Sequence, residues 1–294
     1  MVISKRQERT KRAVERTALP RALDARRPAP AQTVTTVPVA QRPPRRRAWG
    51  PLPSLALGLA TLSLWQLLVT TGTVAPYLLP APLEVARSFW SALTDGLLWR
   101  YGKTTLSDSL SGFGLGALVA LPTGYAIAAS RVAARAIEPY LAASQAVPAV
   151  ALAPLLVLWL GYGLRAVVVL CALIVFFPMV VNTTLGLRGV ERDVIDAARV
   201  DGAGRWQLLW HFEAPLALPT ILAGMRAGLT LSITGAVVGE FVLGDRGLGG
   251  LLTVARANFN TPLVFATLFT LMLLAAALYG VARLAERRFS YLET

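Results

Sequence analysis

An all-α polytopic membrane protein is the fold class this sequence predicts: six transmembrane helices, with a cytoplasmic helical hairpin between spans 4 and 5. Three observations predict it. The chain of 294 residues is 55% hydrophobic and only 15% charged, where a soluble domain carries about 25% charged residues, and its mean hydropathy is +0.56. Its apolar residues come in blocks of about 20, the length a helix needs to cross a bilayer. A polar, arginine-bearing stretch, residues 196–219, interrupts the fourth and fifth of these blocks. No alternating ten-residue strands occur, which argues against a lipid-facing barrel.

The elements follow in order. Residues 1–54 hold 13 of the 29 Lys and Arg and no aromatic residue before Trp49. A single-strand nucleic-acid binder needs stacking platforms among its basic residues, so no nucleic acid is expected. The Pro, Ala and Thr content of residues 28–44 predicts a disordered basic cytoplasmic tail that orients the first span and is attracted to anionic membrane lipid. Residues 55–290 form the membrane domain. Its spans are predicted at about Leu55–Gly72, Leu106–Ala129, Ala143–Leu160, Arg165–Leu187, Leu218–Leu243 and Pro262–Ala285. A short amphipathic piece from Ile137 precedes the third, and an amphipathic helix over about 83–98 lies in the first outer loop.

Charge fixes the orientation. A cytoplasmic N-terminus puts nine Arg in inner segments (131, 135, 188, 192, 199, 205, 283, 287 and 288). It leaves six basic residues outside (Arg87, Arg100, Lys103, Arg165, Arg246 and Arg256). The basic tail widens that bias in the sense of the positive-inside rule. The hairpin and both termini are therefore predicted to face the cytoplasm.

Catalytic signals are weak. Gly102-Lys103-Thr104 mimics the end of a phosphate-binding loop, but the glycine that loop requires is Leu97, and no strand precedes it. Gly112, Gly114 and Gly116 lie within span 2, where close helix packing is the expected use. His211 is the only histidine and Cys171 the only cysteine. Neither a histidine-based metal site nor a triad can be assembled, and no hydrolytic constellation is evident. The chain is not expected to be an enzyme or to hold a cofactor or metal.

Charges inside spans cost more. Span 5 carries Arg226 and Glu240, 14 residues apart and so about 21 Å along a helix axis. They fall within about 40° of one face, which also carries Thr230, Ile233 and Val237. The functional reading is a helix lining a translocation path with Thr230, Ile233, Val237 and Glu240 on its wall. The plainer reading pairs each charge with a neighbouring helix, and is favoured for Arg226.

In the hairpin, Asp196-Ala197-Ala198 lies on a helical run that Gly202 breaks. Trp206 to Phe212 restarts a helix, and Pro215 and Pro219 are predicted to close it. This segment resembles the EAA loop of ABC-importer permeases: Asp196-Ala197-Ala198, then Gly202-Ala203, then Leu218-Pro219. Further runs resemble the nitrate, sulfonate, taurine and thiamine-precursor subfamily. They are Pro154-Leu155 with Leu158-Trp159-Leu160-Gly161-Tyr162-Gly163, Phe176-Phe177-Pro178 with Asn182-Thr183, Gly239-Glu240-Phe241 with Gly247-Leu248-Gly249, and Thr261-Pro262. Two departures stand out: Asp196 replaces the usual Glu, and Glu213-Ala214 replace apolar residues.

The resemblance implies a fold like that of methionine permeases. It also implies a hairpin that docks on a separate ABC ATPase through Asp196, Ala197, Ala198, Gly202, Ala203, Trp206, Pro215 and Pro219. It implies two ATPase copies, a second permease copy as a homodimer, and an extracytoplasmic substrate-binding protein. ATP and magnesium would sit on the ATPase. The site would be the bacterial inner membrane. Substrate stays open among sulfonates, nitrate, bicarbonate, pyrimidine precursors and riboflavin. The competing readings are a stand-alone secondary transporter with Glu240 as its coupling-ion site, and a structural membrane protein. Neither accounts for the hairpin.

Overall fold

The computed structural model describes residues 52–243 and 246–290. The expected basic tail lies outside the described residues as far as residue 51. Five described helices are long and apolar enough to cross a membrane, and a bent pair makes a sixth if it counts as one span.

Helix α1 (Leu52–Thr70) turns Leu55, Leu57, Leu59, Leu62 and Leu64 outward, as a lipid-facing helix must. Its anchor is Trp65, whose Nε1 donates to the Pro80 carbonyl at 3.0 Å and whose ring lies 5.7 Å from that of Phe265. Helix α2 (Pro82–Thr94) fills the first loop, with Pro82 in its first turn and Glu84 accepting from the Ala81 N–H. Helix α3 is longer than span 2 predicts. It begins at Leu97 and runs to Ala129, 33 residues.

The third span departs from expectation. Helix α4 (Arg131–Gln145) leads through a 3-10 turn (Ala149–Leu152) into the eight-residue α5 (Ala153–Leu160), with an 87° bend between the two parts. Pro148 and Pro154 explain the break. Proline supplies no N–H and restricts the residue before it, so one continuous helix over residues 143–160 is disfavoured.

Helix α6 (Leu164–Arg188) is the centre of the fold, with Val167, Leu170, Cys171, Val175, Met179 and Val180 all 0–1% exposed. Small residues let α3 and α9 approach it. On α3, Gly112, Gly116 and Gly124 lie on one face at four- and eight-residue intervals. A Cβ at Gly112 would overlap the Cys171 side chain, one at Gly116 would come within 3.0 Å of the Ala172 carbonyl, and one at Gly124 within 2.7 Å of Thr183. On α9 (Ala214–Leu243), Gly224, Gly228, Gly235 and Gly239 meet Asn182, Met179, Cys171 and Val167 in the same way. This is the packing use expected of Gly112 and Gly116. Gly114 faces open space.

After α7 (Arg192–Val200), α8 (Arg205–Leu208) passes through a π turn (Leu209–Glu213) directly into α9. Pro215 and Pro219 therefore do not end a helix, as the sequence suggests. The π turn widens the helix where Pro215, which has no N–H to donate, enters it. A helix unforeseen in the sequence, α10 (Gly247–Ala257), lies in the last loop, and α11 (Thr261–Ser290) completes the fold.

Candidate functional site

The hairpin is built by α7, a glycine turn and α8. The turn is a Schellman motif: the Ala203 N–H donates to Ala198 O and the Gly202 N–H to Arg199 O, each at 3.0 Å. Gly202 sits at φ +86°, a conformation open to glycine and strained for side chains with a Cβ. Beyond it, Gln207 Oε1 accepts the Gly204 N–H at 2.9 Å, which starts the next helix. The hairpin packs inward through Ala198 and Leu208, 4% and 5% exposed. Asp196, Ala197, Gly202 and Trp206 are exposed, as are Pro215 and Pro219, while Ala203 is half-buried. Asp196 pairs with Arg199 one turn on, at 3.0 Å. Val200, Trp206 and Trp210 are 87%, 73% and 67% exposed. Large apolar side chains beside charges on a polar loop suit a surface that another protein covers.

The opposite end of the helices holds a buried polar cluster. Glu240 on α9 is 0% exposed. Its Oε2 accepts from the Thr105 hydroxyl of α3 at 3.0 Å and from the Gly249 N–H at 2.8 Å. Thr105 in turn accepts the Leu248 N–H at 2.8 Å. The first turn of α10 therefore has two of its free N–H donors satisfied by side chains of two other helices. Gly247, at φ +62°, and Gly249 leave room for this contact: a Cβ on Gly247 would occupy the space of the Glu240 carboxylate, and one on Gly249 would lie 2.8 Å from Glu240 Cβ. Beside it, Asp108, 1% exposed, meets Arg246 at 3.3 Å.

Of the four residues expected on a path wall, Thr230 and Val237 are half-buried. Ile233 and Glu240 are enclosed within the protomer. Arg226 pairs with Glu286 of α11 at 2.5 Å and lies over the Tyr279 ring, the local pairing favoured for it. Sequence reasoning gave no part to Thr105, Asp108 or Arg246. The available signal was Asp108, a charge inside span 2 as expensive as Glu240 in span 5. Among the described residues no group of three His, Cys, Asp or Glu side chains converges as a metal site requires.

A bundle of apolar helices around α6, with an exposed glycine-turned hairpin at one end, defines a polytopic helical membrane protein. The chain belongs to the family of binding-protein-dependent transport system inner membrane components, which matches residues 112–291. It is 48% identical over 257 residues to the riboflavin transport system permease protein RibX of Chloroflexus aurantiacus, covering 86% of this chain and 96% of that protein. It is 34% identical to the formylaminopyrimidine transport permease protein ThiX of Halalkalibacterium halodurans, over 68% of this chain and 79% of that one. It is 29% identical to the taurine transport system permease protein TauC of Escherichia coli, over 78% and 85%. The fold is similar to a chain of the MetNI methionine ABC transporter in an inward-facing conformation, with a TM-score of 0.61 at 20% identity over 67% of this chain and 97% of that one. The protein is a multi-pass inner-membrane permease subunit of an ABC transporter that works with an ATPase and a binding protein.

Proposed function

We propose that this permease imports a small heteroaromatic solute of the riboflavin or pyrimidine class, delivered by an extracytoplasmic binding protein. The similarity to RibX supports that class over sulfonates and taurine, because it is far higher and spans 96% of that relative, against 29% identity to TauC. ATP hydrolysis belongs to a separate ATPase, which carries ATP and magnesium. Two ATPase copies serve a homodimer of this chain, with the hairpin and both termini in the cytoplasm.

The observation that carries this reading is the exposed hairpin. Asp196, Ala197, Gly202, Ala203 and Trp206 present its docking surface, with Ala198 packed inward behind them, and closure of the ATPases moves α6 and α9 through it. Pro215 and Pro219 lie within the helix that transmits the movement rather than at its end. The path runs beside α9, with Thr230 and Val237 on its wall and Ile233 and Glu240 behind them. Glu240 has both donors of its Oε2 inside the protomer, which suits a structural acceptor better than the coupling-ion site of a secondary transporter.

A tagged chain is expected to copurify with an ATPase, and Gly202→Trp to abolish this while membrane insertion persists. A Cβ at Gly202 meets nothing within 4 Å, so the added indole would project towards the partner, and the φ of +86° adds strain to the turn that presents the docking surface. Solute uptake by this chain alone in proteoliposomes would overturn the reading.

A further inference from the structure

At the hairpin end, a cavity of about 520 Å³ opens between the last turns of α3 and α6, the start of α4 and the start of α7. Arg131, Arg135, Arg188 and Arg192 line it, against a single acid, Glu213. Arg188 is engaged: its Nη2 donates to Glu138 at 2.9 Å and to the Ile127 carbonyl at 3.1 Å. Arg131, Arg135 and Arg192 have no ion pair or side-chain hydrogen bond among the described residues. Three uncommitted guanidinium groups from two helices therefore face one concavity. Its most buried lining is apolar, with Ile127 and Ala134 2% and 7% exposed, whereas the four arginines are exposed. The first turn of α7 adds N–H groups that no side chain caps, and these favour an anion.

Guanidinium binds phosphate oxygens bidentately. A cavity charged at its mouth and apolar at its floor, level with the ends of two spanning helices, fits a phosphate joined to a hydrophobic body. We propose that this pocket binds the phosphodiester head group of an anionic lipid. It rests on the permease reading only in assigning this end to the cytoplasmic leaflet. The lipid would tie α4, which precedes the 87° bend, to the root of the hairpin, at the joint between membrane and coupling helix.

The test uses the full chain with its ATPase, in nanodiscs of phosphatidylcholine doped with phosphatidylglycerol. After transfer to detergent, mass spectrometry counts the phosphatidylglycerol retained. Arg131→Gln/Arg135→Gln is compared with Arg283→Gln/Arg288→Gln, a charge-matched pair on α11 outside the pocket. The expected result is selective retention by the wild type, a loss of roughly fivefold per guanidinium removed from the pocket, and no change in the α11 variant. Copurified ATPase, read from the same sample, is expected to stay constant. Its loss with lipid retention intact would break the functional reading and leave the pocket standing. Equal losses from both variants would mean diffuse surface charge and overturn the proposal. So would displacement of the lipid by millimolar inorganic phosphate, or retention only when the ATPase is absent.

Discussion

The Glu240 contact with the start of α10 predicts that positions 240 and 247 are energetically coupled. Glu240→Ala leaves the buried Gly249 N–H without an acceptor, a loss of about 1–3 kcal/mol. The Thr105 hydroxyl suffers less, because the Tyr101 carbonyl lies 3.4 Å away as a second acceptor. Gly247→Ala acts twice. Its φ of +62° costs an alanine about 1–2 kcal/mol. Its methyl also takes the space of the Glu240 carboxylate, which must leave the Gly249 N–H for another rotamer. That second loss is the one Glu240→Ala already causes. The double variant should therefore be about 1–3 kcal/mol more stable than the sum of the single variants implies. Equilibrium unfolding in mixed SDS micelles, followed by circular dichroism, would measure all four proteins. Additivity to within about 0.5 kcal/mol, the level seen for independent sites, would refute the reasoning. Glu240→Gln is the companion measurement: its Oε1 can accept both donors, so uptake should survive, whereas a coupling-ion role would require the charge.

Two further outcomes are expected. Gly112→Ala should destabilise the protein by about 1–3 kcal/mol through overpacking, because its Cβ would overlap the Cys171 side chain; Cys171→Gly should recover part of this and Cys171→Ala should not, since the alanine keeps the offending carbon. Asp196→Ala removes a pair whose side chains are 63% and 66% exposed, so stability should change by less than about 1 kcal/mol while ATPase copurification falls; unchanged copurification would remove Asp196 from the docking surface.

What was legible in the sequence, and what was not, divides by the range of the physics involved. Helix existence follows from apolar blocks, and the hairpin from Gly202, because both are local: length sets the span and a positive φ selects glycine. Proline shows the limit of local reading. Pro148 and Pro154 do break a helix, whereas Pro215 and Pro219 do not; at Pro215 the difference is the π turn over Leu209–Glu213, whose wider geometry removes the need for the missing N–H, while Pro219 lies within the regular helix that follows. The far cluster is less legible still. Glu240 reads from sequence as a lone charge on a helix face with Thr230, Ile233 and Val237, and a lone charge in a membrane suggests water. Its partners lie 135 residues upstream, at Thr105, and across a chain reversal, at Gly249. Neither contact leaves a periodic trace, because backbone donors belong to every residue and a threonine hydroxyl in a span ordinarily bonds its own helix. The pattern Gly247-Leu248-Gly249 gains its meaning only with α9 in place: the Glu240 carboxylate stands where a Cβ on Gly247 would be, and the Val237 carbonyl and the Glu240 side chain crowd the one on Gly249. The same buried acid that suggests transport chemistry when read along one helix is, read across two, an acceptor for the first turn of a third.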